Sequence, residues 1–165
     1  MARHRYLIAL GSNRRHHQIG RPRDVIGAAI VELEKAGVKT IKVGPLIFSK
    51  PVGPSRRYYA NSAAVVETGL EPDGLMALFK QIERSFGRRQ GGQRWSSRVL
   101  DLDIILWDGG PFVSSDVTIP HPEFRNRSFV LEPAAVAAAD WRDPVTGLSL
   151  RQLNARLTTS RPLPR

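Results

Sequence analysis

The order in which apolar periodicity changes along this chain constrains its fold more than any other feature. RYLIAL (residues 5–10) reads as a strand, with GSN after it as a turn. Residues 24–36 place Ile26, Ile30 and Leu33 at helical spacing, and Gly37 is a stop signal. VKTIKVGPLIFSK (38–50) is strand-like, but Pro45 has no N–H to give a ladder, which predicts an edge strand. ANSAAVVET (60–68) is a third strand. A second helix runs from about Pro72, a good first-turn residue, to Phe86; Leu75, Leu78, Phe79, Ile82 and Phe86 form its stripe, and Gly87 ends it. LDLDIILW (100–107) is a fourth strand. The order β-α-β-β-α-β predicts an α+β chain, a ferredoxin-like βαββαβ sandwich of two split βαβ units. SFVLEPAAVAAA (128–139) and LSLRQLNARL (148–157) add two C-terminal helices, and RPLPR reads as a frayed tail.

These elements fill one domain, residues 1–165, with a core of about 5–157 and a tail of 158–165; that length suffices for a single substantial core. There is no cysteine, which rules out disulfides and cysteine zinc sites. The early apolar run, Tyr6–Leu10, is too short for a secretion signal or a membrane span, so a cytoplasmic protein with no membrane association is expected. The formal net charge of +10 implies anionic partners, whether nucleic acid, lipid headgroups or phosphorylated small molecules.

Two connections are long for so small a fold, residues 49–58 and 87–99, both rich in Gly, Pro, Ser and Arg. The second leads from four arginines (Arg88, Arg89, Arg94 and Arg98) into a pair of aspartates, with no acid between Glu83 and Asp101. On a strand, residues i and i+2 share a face, so Asp101 and Asp103 lie side by side and need compensating cations. Arginines could serve. Mg²⁺ fits better, because it takes one or two carboxylates plus the oxygens of substrate phosphates, and guanidinium forks suit the remaining phosphate charge. His121, held between two prolines, precedes Arg125 and Arg127 and extends this to a phosphate-facing cluster.

The segments YLIALGSN, P-V-G-P with Y-A-N-S, E-R-S-F-G-R, R-W-S-S-R-V-L-D-L-D-I-I and I-P-H-P…R-N-R-S-F-V-L-E-P together resemble the 6-hydroxymethyl-7,8-dihydropterin pyrophosphokinase family, from about Tyr6 to Leu153. The resemblance implies an enzyme, usually monomeric, that moves pyrophosphate from ATP to the hydroxymethyl group of 6-hydroxymethyl-7,8-dihydropterin with two Mg²⁺ ions, releasing AMP in folate biosynthesis. It assigns Asp101 and Asp103 to the metals and Arg88, Arg98, Asp101 and Asp103 to catalysis. It assigns Gln81, Glu83, Arg88, Arg98, Ile104, Thr118, His121 and Arg127 to ATP. Around the pterin it puts Ser49, Pro51, Val52, Gly53, Tyr59, Asn61, Trp95 and Phe129, with Asn61 reading the amide edge and Phe129 stacking on the ring. The chemistry asks for alignment and charge neutralisation more than covalent help.

The chain departs from the family's pattern at Gln90, Ser96, Ser97 and Asp116. A different class, a basic ferredoxin-like module that binds RNA across its sheet, would need exposed aromatics on the central strands. Strand one offers Tyr6 and strand three offers none, so no nucleic-acid partner is expected.

Overall fold

The computed structural model describes residues 3–49, 58–87 and 99–159. Arg88, Trp95, Arg98, Pro51, Val52 and Gly53 lie outside the described residues, as do Gln90, Ser96 and Ser97.

The elements follow as β1 (His4–Ser12), α1 (Pro22–Lys35), β2 (Lys39–Val43), β3 (Ile47–Ser49), β4 (Tyr59–Thr68), α2 (Pro72–Ser85), β5 (Asp101–Trp107), β6 (Phe112–Val113), β7 (Thr118–Ile119), α3 (Ser128–Ala137) and α4 (Leu150–Thr158), with a 3-10 turn at Phe124–Asn126 before α3. One sheet runs in the order β2-β4-β1-β5, every neighbouring pair antiparallel, and β3 also pairs with β4. It is a mixed α/β architecture with, among the described residues, four α-helices.

Two apolar layers cover the sheet. Tyr6, Ile8 and Leu10 of β1 face α1 and α2 and pack with Val25, Ala29, Leu33, Leu75 and Phe79. Leu7 of β1 faces the other way, with Ala63, Val65, Ile105 and Leu106, onto Val130, Leu131 and Ala134 of α3 and Leu150 and Leu153 of α4. A strand covered on both faces cannot alternate apolar with polar, which is why YLIAL reads as a continuous run.

Two local expectations change, and one hairpin is added. Gly11 and Ser12 belong to β1 instead of a turn, because they pair with Asn61 and Ala60 of β4. The single edge strand expected over 38–50 is two strands; Pro45 breaks it, having no N–H, and Gly44 N–H donates to Ala63 O at 2.8 Å just before the break. The β6–β7 hairpin is too short to leave a periodic signal.

The α3–α4 layer is fastened by one ion pair. Arg125 Nε and Nη2 donate to Asp143 Oδ2 and Oδ1 at 2.6 and 2.8 Å, and Thr146 Oγ1 and Val145 N–H donate to the same carboxylate. Asp143 is fully buried, and burial alone would raise its pKa; the bonds from Arg125, Thr146 and Val145 outweigh that and bring it to about 2. The clamp commits Arg125 to the scaffold and leaves Arg127 to the site.

Arg125→Ala strands a buried carboxylate. It lowers the unfolding free energy by about 2–4 kcal/mol in urea titration, below the range for fully buried pairs because Arg125 keeps contact with water. Asp143 ionises below its ordinary 3.8, so its contribution is complete above about pH 4 and is lost as pH falls toward 2. The acid limb of stability between those values flattens in the variant.

Candidate active site

The three central strands grade from apolar to polar toward one end of the sheet. On the α3 side, β1 runs Leu7, Ala9, Gly11; β4 runs Val65, Ala63, Asn61 opposite them; β5 runs Leu106, Asp103, Asp101 on the other flank. Each step toward Gly11 exchanges bulk for space or polarity. The result is a cleft of about 430 Å³ lined by Ala9, Gly11, Ser49, Tyr59, Asn61, Asp101, Asp103, Arg127 and Phe129, among others.

The row Asn61–Gly11–Asp101 crosses its floor, with Asp103 beside Ala9 in the next row. Gly11 lies close against Asn61: a Cβ there would sit 3.3 Å from Asn61 Oδ1, so the amide would have to give by a few tenths of an ångström. Asn61 is itself buried, and its Nδ2 donates to Ser49 Oγ at 2.9 Å, an orientation that turns Oδ1 toward Gly11. β3 thereby does local work, since Ser49 and Tyr59 are register partners at the cleft edge. At the opposite wall Arg127 precedes α3, and its guanidinium lies 5.7 Å from the centre of the Phe129 ring.

His121 does not line the cleft, but a bulge sets it close enough to feel the charges of Asp103 and Arg127. The β1–β5 register slips between Leu7 and Ile8, which leaves Ile105 outside the pairing with β1, and the Ile105 carbonyl accepts His121 N–H at 3.0 Å. The His121 ring is held by Glu123 N–H donating to Nδ1 at 3.1 Å, so the neutral ring carries its proton on Nε2. Burial lowers the His121 pKa; Asp103 opposes this, Arg127 reinforces it and Glu123 opposes it, with a net lowering. The imidazole is therefore a neutral donor at physiological pH.

The remaining expected residues are more dispersed. Glu83 is buried on α2, where its carboxylate accepts Leu102 N–H at 3.3 Å, between the two aspartates. Gln81 is exposed on the same helix, and Thr118 is exposed on β7. Ile104 is buried on the α1–α2 face, turned from the carboxylates. Ala9 was not singled out by the sequence; its only signal is its place two residues before Gly11 on a strand otherwise full of bulky side chains.

The model of the family 7,8-dihydro-6-hydroxymethylpterin-pyrophosphokinase (HPPK) matches residues 7–139. The chain belongs to the HPPK family. It is 34% identical over 151 residues to the 2-amino-4-hydroxy-6-hydroxymethyldihydropteridine pyrophosphokinase of Synechocystis, covering 91% of this chain and 74% of that one. The Pseudomonas aeruginosa protein of the same name is 35% identical over 142 residues, 85% of this chain and 84% of that one. Among solved structures, Plasmodium falciparum HPPK-DHPS with pteroate superposes with a TM-score of 0.71 at 13% identity, over 94% of this chain and 42% of that longer chain. That likeness concerns the fold alone. The RNA-binding reading has no support: Tyr6, the aromatic it would need on the sheet, is fully buried in this HPPK chain.

Gly11→Val forces Asn61 aside. A crystal structure of the variant, or the Asn61 side-chain amide signals in NMR, will report loss of the bond to Ser49 while the fold persists.

Proposed function

We infer that this chain transfers a pyrophosphoryl group from ATP to the hydroxymethyl group of 6-hydroxymethyl-7,8-dihydropterin, releasing AMP, a step of folate biosynthesis. The observation that carries this is the single row Asn61–Gly11–Asp101. An amide that can read a heterocycle lies two strand spacings, about 10 Å, from a carboxylate that can hold a metal-bound phosphate, on either side of the smallest residue. Action as a monomer in the cytoplasm, on a ferredoxin-like βαββαβ core, is part of the same reading.

Asp101 and Asp103 fit Mg²⁺. They share a face and are partly exposed beside the small floor residues Ala9 and Gly11, and no third His, Asp or Glu joins them in a cluster among the described residues. Such a pair leaves most coordination positions to phosphate oxygens and water, the arrangement Mg²⁺ prefers, and we assign it two ions. Bound there, Mg²⁺ neutralises charge on the transferring group and orients it. Leu102, between the two carboxylates, is tethered by Glu83, which holds β5 against α2 and keeps the pair in register.

The side chains do the rest by position. Asn61 accepts a pterin N–H at Oδ1, and Phe129 offers a ring face to the heterocycle, placing the hydroxymethyl group toward the aspartates. His121 donates from Nε2 and Arg127 from its guanidinium to phosphate oxygens, both without losing a proton. Arg88 and Arg98, with Gln81, Thr118 and the Ile104 backbone, complete the ATP contacts. Ser49, Pro51, Val52, Gly53, Tyr59 and Trp95 complete those to the pterin. In-line transfer then needs no covalent intermediate on the protein.

Asp101→Ala and Asp103→Ala each lower turnover by on the order of a hundredfold or more while the protein stays folded. Turnover at limiting Mg²⁺ that matches the wild type in either variant would overturn the metal assignment. Asn61→Ala weakens pterin binding by about 1–3 kcal/mol in calorimetric titration and leaves ATP binding nearly unchanged. Equal losses for both ligands would make Asn61 a structural residue.

A further inference from the structure

The connection between β1 and α1 reads NRRHHQIGRPRD and carries four arginines against one acid. Arg14 follows Gly11 by three positions, so this cationic loop leaves the sheet at the end where the cleft opens.

Several cations elsewhere on the described surface have found acids, whereas others, such as Lys39 and Lys42, stand singly on their strands. Arg3 and Arg5 lie 3.6 Å from Glu67, Lys35 lies 3.2 Å from Glu32, and Lys80 lies 3.6 Å from Asp116. In the loop, Arg21 Nε is 3.8 Å from Asp24 Oδ2. Arg14, Arg15 and Arg23 are exposed and have no acid at ion-pair distance among the described residues.

The loop is also built to hold its shape. His16 and Gly20 exchange backbone hydrogen bonds of 2.8 and 2.9 Å, and Gln18 and Ile19 N–H both donate to His16 Nδ1 at 3.1 Å. Gly20 takes φ +120, and a Cβ there would lie 2.8 Å from Asp24 Oδ2, which instead accepts Arg21 N–H. The His16 ring meets Phe86 of the core edge-on at 6.2 Å and stacks on His17 at 4.7 Å. Mutually repelling charges are thus held on a pinned loop, where a flexible one would let them separate.

We propose that the loop of residues 14–23 is an electrostatic collector for nucleotide: Arg14, Arg15 and Arg23 draw ATP to the mouth of the cleft and speed its capture without touching the bound phosphates. A single-stranded nucleic acid is a poorer occupant, since it needs a longer groove with free aromatic faces, and the two rings here are stacked on each other. The proposal rests on the reading of the cleft as an ATP-dependent pyrophosphokinase site.

The test is stopped-flow binding of a fluorescent ATP analogue with Mg²⁺, across a range of ionic strength, to the wild type and to Arg14→Ala/Arg15→Ala/Arg23→Ala. At low salt the association rate of the triple variant falls about 3- to 10-fold, and the two proteins converge at high salt. Dissociation rate and saturated turnover stay unchanged. Arg14→Lys/Arg15→Lys/Arg23→Lys keeps the wild-type association rate, because a field depends on charge and not on the guanidinium fork. An unchanged association rate in the alanine variant overturns the proposal, as does a lysine variant equally slow. A faster dissociation or lower turnover would mean direct contact instead, and an RNA oligomer held by the wild type but released by the alanine variant would mean a nucleic-acid surface. Wild-type protein that makes no AMP from ATP and the dihydropterin removes the underlying functional reading. Wild-type protein that does so, with capture unaltered in the triple variant, removes the collector alone.

Discussion

Antiparallel pairing of β1 with both β4 and β5 is the constraint on which the site depends. Because side chains alternate strictly along a strand, the register decides which residues share a face, and a slip of one residue would send Asn61 and the aspartates into the opposite core. Gly11↔Asn61 and Gly11↔Asp101 are set by nine paired residues on one side of β1 and six on the other. The bulge at Ile105 lets β5 present Ile105 and Leu106 together to the α3–α4 layer and then return to alternation for Asp103 and Asp101. The same irregularity frees the carbonyl that holds His121, so one defect in the ladder serves both packing and chemistry.

The site draws on two layers with different anchors. Its acids and its amide come from the sheet, while Arg127 and Phe129 come from the start of α3. What keeps the second set in place is the ion pair of Arg125, just upstream, with the buried Asp143, together with the apolar contacts of Val130, Leu131 and Ala134. Two arginines with one residue between them thus divide the work: Arg125 is consumed by the scaffold and Arg127 faces the cleft.

Much of this was legible in the sequence, for physical reasons. Helices with a clear apolar stripe were readable because burial imposes the 3.6-residue period, and α2 begins at the expected Pro72. Asp101 and Asp103 were readable because two like charges on one strand face demand a partner. Arg125 was grouped with Arg127 in a phosphate-facing cluster, since nothing local marks Asp143, eighteen residues away, as its counter-ion. The extension of β1 through Gly11 and Ser12 was hidden because glycine and serine carry turn propensity, and only pairing across the sheet overrides it. Ser49 as the partner that orients Asn61 likewise depends on a strand break that propensity alone does not place.

The grading of side chains along β1, β4 and β5 makes the cleft an extension of the core instead of a separate feature. A strand advances about 6.6 Å for every two residues, so the depth of the cavity changes in steps of one row. Ala9 and Ala63 form the row at which the floor stops, directly above Leu7 and Val65. A lineage could deepen the cleft by one row, and admit a bulkier heterocycle, by trimming Leu7 and Val65; it could shut the cleft by restoring bulk at Ala9. Substrate size would then be inherited through the hydrophobic interior that continues beneath the cleft floor.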